Sequence, residues 1–229
     1  MRRAMLVIVG FSAGGMMLIM LFAVAREQYG TAQAKGTDGR MTGYPMPVMN
    51  TELVAIQTAE YEGPFWEDGS DEEVVGIAAL VVENTGGVIV SQGTVVLEWG
   101  NERMVFELSQ LPPGRRVLVL EKNRRRFITE EPTACYGWSR GEYPEDPGTV
   151  TVEVQGMGTM ILTNQTDGDI GGVTVNYKHY DSGSDMFIGG ISYSIYAEAL
   201  KPGEMRLMKP AHFAAVGSKV VSVLQEPVK

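Results

Sequence analysis

The chain has 229 residues, of which 44% are hydrophobic and 21% charged, a balance that suits a folded protein with a buried core and excludes an intrinsically disordered one. Its 28 acidic residues against 19 basic ones argue against non-specific nucleic-acid binding. A lone cysteine, Cys135, excludes an intrachain disulfide, and 28 glycines with 11 prolines favour short strands and many turns over long helices.

Residues 5–25, MLVIVGFSAGGMMLIMLFAVA, carry no charge and follow Arg2 and Arg3. That length spans a bilayer as a helix, and the positive flank keeps residues 1–4 cytoplasmic. The competing reading is a signal peptide cleaved after Ala25, since Ala23-Val24-Ala25 has the small-x-small form. The apolar run is longer than a usual h-region, which favours an uncleaved single-pass anchor in the cell membrane over secretion. Both readings export the remainder of the chain. Residues 26–50 have no period and scattered Gly and Pro, as in a flexible stalk with a reach of about 25–30 Å. An exported chain without disulfides points to a bacterial surface. Cys135 either packs in a core or cross-links two chains into a dimer.

Beyond residue 50 a period of two takes over. Strands are predicted at 74–82, 93–99, 115–120, 149–154, 158–162, 173–177, 191–197 and 219–224. In the strand at 173–177, Val173, Val175 and Tyr177 share one face, with Thr174, Asn176 and Lys178 on the other. Turn residues stand between the strands in ENTGG, LPPG, TDGD, DSGSD and LKPG.

Aligning Asn84 on Asn164 exposes an internal repeat. Leu80 then falls on Met160, Val82 on Leu162, Val95 on Val175 and Leu97 on Tyr177. LPPG, beginning at Leu111, corresponds to LKPG, beginning at Leu200. The interval from Asn to Leu is 27 residues in the first copy and 36 in the second, and the excess sits at DSGSDMFIGG. The pattern predicts a duplicated all-β unit. The expected organisation is a first β-sandwich unit at 51–130, a Pro/Gly-rich connector at 131–148, and a second unit at 149–229. One apolar face per strand points to two antiparallel sheets in each.

The second half resembles the FxLYD-type bacterial extracellular domain. Asn164 with its turn, then VTVNYKHYD from Val173 to Asp181, then LKPGE from Leu200 to Glu204 carry the likeness. Tyr177, Tyr180 and Asp181 fill three of the motif's places, and His179 stands where that family has Leu. The first half keeps only the Asn turn and LPPG. The resemblance implies two tandem immunoglobulin-like antiparallel sandwiches, surface-exposed behind an N-terminal transmembrane helix. Its motifs specify a fold rather than a chemistry.

Chemistry-bearing patterns are few. His179 and His212 are the only imidazoles, and no G-x-S-x-G, H-E-x-x-H or phosphate-loop motif occurs. No cofactor is expected. Two acidic loops, one with Glu67, Asp68, Asp71, Glu72 and Glu73 and one in the second unit with Asp167 and Asp169, or alternatively Asp181 and Asp185, supply calcium-type ligands without the EF-hand spacing. Asn164-Gln165-Thr166 fits a glycosylation sequon but reads better as a turn.

Arg115, Arg116, Lys122, Arg124, Arg125 and Arg126 form a basic cluster that would suit lipid headgroups or an anionic polymer, with Glu121, Glu130 and Glu131 near enough to offset it. Trp66 and Trp138 are candidate stacking platforms for a glycan, or plugs at the ends of the sandwiches. The leading expectation is a non-enzymatic membrane-anchored envelope protein, bound to the membrane through residues 5–25 and presenting its domains for interaction with an envelope protein or for a structural role. A glycan or cell-wall-polymer binding module is the alternative, and an exported enzyme the second.

Overall fold

A computed structural model describes residues 44–70, 72–142, 148–156, 158–215 and 217–226, all within one compact unit, Arg40–Lys229. The expected cytoplasmic terminus, the membrane segment at 5–25 and residues 26–43 of the stalk lie outside the described residues, as do Asp71 and residues 143–147 of the connector. No helix among the described residues is long and apolar enough to cross a membrane.

The described chain is all-β, with thirteen strands and a single 3-10 turn at Trp66–Asp68. In order the strands are β1 (Met46–Pro47), β2 (Leu53–Pro64), β3 (Glu73–Asn84), β4 (Ile89–Trp99), β5 (Glu102–Leu111), β6 (Arg116–Leu120) and β7 (Ala134–Glu142). The second half contributes β8 (Val150–Gln155), β9 (Thr159–Asn164), β10 (Val173–Asp181), β11 (Met186–Ala197), β12 (Met205–Met208) and β13 (Ser218–Gln225).

Three sheets result, ordered β1-β2-β3-β6-β11-β10-β13, β12-β9-β8 and β5-β4-β7. The order β2-β3-β6 in the first half recurs as β8-β9-β12 in the second, and β5-β4-β7 recurs as β11-β10-β13. Each half closes its own core. Alternating inward residues of β3 (Ala78, Leu80, Val82) meet Val95 and Leu97 of β4 and Met104, Phe106 and Leu108 of β5. In the second half Met160 and Leu162 of β9 meet Val173, Val175 and Tyr177 of β10.

The repeat anchored on the two asparagines extends to their hydrogen bonds. Asn84 Nδ2 donates to the carbonyls of Val88 (2.8 Å) and Leu111 (2.9 Å), and Asn164 Nδ2 donates to those of Gly168 (2.8 Å) and Leu200 (3.0 Å). Their Oδ1 atoms accept from the backbone N–H of Gly86 and Thr166, respectively. Their own carbonyls accept from Gly114 and Gly203, whose φ values of 66° and 68° close the LPPG and LKPG turns. A buried asparagine at this corner ties the end of one strand to the start of the next turn with every polar atom paired.

The copies differ where the second is longer. Its extra residues lengthen the β10–β11 hairpin, whose far end reaches into the first half. There Phe187 and Ile188 pair in parallel with Val117 and Leu118 of β6, the one parallel contact between named strands. Tyr180 and Phe187, in edge-to-face contact at 5.4 Å, are buried within the core of the first half. The longest sheet therefore runs unbroken through both halves.

Several expectations need correction. Residues 134–142 of the expected connector form β7, which pairs with β4 over nearly its whole length. Gly137 hid the strand in the sequence: it breaks the apolar alternation, yet a Cβ there would run into the Thr94 carbonyl oxygen. At the stalk boundary, Met46 and Pro47 pair with β2, and Val48 is buried in the first core. Asn176 and Lys178, on the face of β10 opposite the second core, are buried as well, because the first half covers that face. β2 escaped the period-two reading because bulges at Ala55/Gln57 and Tyr61/Glu62 shift its register twice.

Replacing either corner asparagine by alanine strands two buried carbonyl acceptors and one N–H. Asn84→Ala and Asn164→Ala should each cost about 2–4 kcal/mol in urea unfolding. Phe187→Ala should cost about 3–5 kcal/mol. Because that ring serves the first core from the second half, it should also accelerate amide exchange in β3 and β6.

Candidate functional site

The densest polar chemistry lies where the halves meet. Lys178 leaves the middle of β10 toward the first half and is fully buried. Its Nζ donates to three backbone carbonyls: Ser109 at the end of β5 (2.9 Å), and Gly190 (2.8 Å) and Ile191 (2.7 Å) in β11. Three acceptors require three N–H bonds, so this geometry describes the ammonium form. Around it Ser109 Oγ donates to the Gly190 carbonyl (3.0 Å) and meets Ser192 Oγ (3.1 Å). Further along, Asn176 Nδ2 donates to Ser222 Oγ, which donates to Gln110 Oε1.

Glu67, in the 3-10 turn after β2, approaches the same point from the other side. Its carboxylate accepts from the backbone N–H of Leu120 (2.7 Å) and of Gly190 (2.7 and 2.9 Å). The Gly190 residue is thus held by Glu67 at its N–H and by Lys178 at its carbonyl. Glycine is required at 190, where a Cβ would overlap the Glu107 carbonyl oxygen, and at 189, where φ is +80° and a Cβ would lie 2.7 Å from Trp66 Cβ.

Burial pushes the Glu67 carboxyl up from its ordinary range, opposed by the Leu120 N–H and by the positive charge of Lys178. Burial pushes Lys178 down, opposed by Glu67. Each charge reduces the cost of the other, and the five backbone groups around them replace the lost water.

The basic cluster is not a free patch. Arg115 pairs with Asp185 (3.3 Å), Arg116 with Glu83 (2.7 Å) and Lys122 with Glu107 (2.6 Å). Arg124 meets Asp68 (2.9 Å) and Glu72 (2.7 Å) and lies over the Phe65 ring at 4.4 Å. Arg125 and Arg126 are exposed, and the backbone of this loop curls around the buried Glu121, which accepts from the N–H groups of Val105, Asn123 and Arg125. Hydrogen bonds from Ser70, with Arg124 beside them, hold the Asp68 carboxyl below its usual range.

The two candidate tryptophans part ways. Trp66 is half-buried, packed on Gly189 and 4.5 Å from the His179 ring, which makes it part of the joint. Trp138, on β7, is 53% exposed. It lines a cleft of about 600 Å³ between the first half and the joint, together with Gln92, Thr94, Glu107, Lys122 and Gly190.

His179 and His212 flank the Tyr193 ring at 5.4 and 4.9 Å. Cys135 is buried in the first core, and burial pushes its thiol up to about 11. A cross-link there would require opening the core. The acidic loops do not converge: Glu67 turns inward, Asp68 and Glu72 pair with Arg124, and Asp181 caps Gly183 and Ser184. Among the described residues no three His, Cys, Asp or Glu side chains are placed to hold a metal.

Sequence reasoning missed Glu67 and Lys178 as a pair. Glu67 entered only as one of five acids in a loop, and Lys178 only as an outward strand position. The available signal was Gly189-Gly190 inside a strand, a mark of close backbone approach.

A double-mutant cycle tests the clasp. Glu67→Gln and Lys178→Met should each destabilise by about 3–5 kcal/mol, because each leaves an uncompensated charge or unpaired backbone groups. The double variant should lose less than the sum in urea unfolding, with a coupling of about 1–3 kcal/mol.

No protein-family model, curated protein or solved structure matches this chain.

Proposed function

We propose that the protein is a non-enzymatic component of a bacterial envelope, held to the membrane through residues 5–25. In this reading two tandem immunoglobulin-like sandwiches stand outside the cell as one stiff body for a partner to grip. The observation that carries it is the fused seven-stranded sheet, in which β6 of one half pairs with β11 of the other. Domains joined only by a linker move relative to each other, whereas a shared sheet fixes one orientation.

The repeated asparagine corners support reading the halves as two copies of one sandwich. Glu67 and Lys178 are engaged by backbone groups on both sides of the joint, which suits a structural role better than proton transfer. The resemblance of the second half to the FxLYD-type domain supports an extracellular address. The apolar run at 5–25 behind Arg2 and Arg3 supplies the anchor.

Protease shaving of intact cells tests the topology. A C-terminal tag should fractionate with membranes and disappear when cells are shaved. Tag in the medium would replace the anchor by a signal peptide, and tag protected in sealed cells would overturn the outward placement.

A further inference from the structure

The cleft beside the joint has a chemistry of its own. Trp138 of β7, Thr94 of β4 and Glu107 of β5 stand opposite one another in register, forming a row across the outer face of the three-stranded sheet. Gln92 lies two residues along β4, and Lys122 and Arg124 close the far wall. The volume, about 600 Å³, lies within the range of small-molecule sites.

The charges lining this cleft are already matched. Lys122 holds Glu107 at 2.6 Å, Arg124 holds Asp68 and Glu72, and Glu67 is engaged by backbone N–H groups. A strongly anionic or cationic ligand would have to break one of these pairs. By contrast, Gln92, Thr94 and Trp138 make no side-chain hydrogen bond with the described residues, and all three are neutral. Trp138 adds a large apolar ring that is 53% exposed, beside one amide and one hydroxyl.

A ligand suited to these groups is neutral, rich in hydroxyls at its edge and apolar on one flat face. A pyranose has that form: its axial C–H face stacks on an indole while its equatorial hydroxyls reach polar neighbours. We propose that this cleft is a binding site for a neutral saccharide unit, with Trp138 as the stacking platform and Gln92, Thr94 and Glu107 as hydroxyl partners. Trp66, Arg115, Arg116, Arg125 and Arg126 do not line it, and Lys122 and Arg124 enter only as walls whose charges are already paired. The proposal goes beyond the envelope role above and does not depend on membrane topology.

Isothermal titration of the full chain, purified in a detergent without a sugar headgroup, tests it directly. The probes are cellobiose, maltose and N,N′-diacetylchitobiose, with inorganic polyphosphate as the charged competitor. Saturable binding of at least one disaccharide is expected. Trp138→Ala should weaken it by about tenfold or more, with the unfolding midpoint unchanged.

Thr94→Val, which keeps the shape of the side chain and removes its hydroxyl, should also weaken binding, and it serves as the test if Trp138→Ala fails to fold. Absence of binding to all three sugars overturns the site. So does affinity untouched by either substitution, or a preference for polyphosphate. A negative result here leaves the shaving experiment unaffected, because purified protein carries no information on which side of a membrane it stood.

Discussion

A buried ammonium group needs acceptors on several sides, and in this protein they come from both halves of the chain. Lys178 reaches out of the second half to the carbonyl of Ser109 in the first, while gripping Gly190 and Ile191 in its own neighbouring strand. Glu67 approaches from the first half and takes the N–H of Gly190. Neither residue could be desolvated in an isolated half without leaving its charge uncompensated. The joint is thus specified by electrostatics as well as by packing, and a slipped arrangement would strand a charge in the interior.

Around that point the remaining features fall into place. Parallel pairing of β6 with β11 needs the β10–β11 hairpin to project beyond the second core, and the longer connection in the second copy supplies the length. Tyr180 and Phe187 then fill space in the first core. Gly189 and Gly190 let the turn carrying Glu67 and Trp66 close over β11 at backbone distance. Ordinary surface ion pairs, such as Arg115 with Asp185, add little to this arrangement because water and salt screen them.

The same closure shapes the surface. Bringing the 3-10 turn and the loop after β6 against the edge of β5 forms the walls of the cleft, and pairing its charges leaves Trp138 and its neutral neighbours facing solvent. A tryptophan over half exposed on a rigid sheet loses little conformational freedom when a ligand settles on it. The basic residues that look like a docking patch in the sequence are instead used locally: four of the six hold carboxylates, and their loop wraps Glu121.

The β class, most strand positions and the internal repeat are legible in the amino-acid sequence, because alternation of period two and turn residues act locally. Asn84 and Asn164 were legible as equivalent for the same reason: each makes its bonds within one corner of one half. Strands with interrupted alternation, β2 and β7, were not legible, since bulges and close-approach glycines erase the pattern without weakening the pairing. β5 was not among the predicted strands either, although Met104, Phe106 and Leu108 alternate along it. The joint was beyond reach of any local rule. Period two places Lys178 on the outer face of its strand, and it is the packing of the other half against that face that buries it. A buried charge is defined by what surrounds it in space, and its partners lie 12, 13 and 69 residues away along the chain.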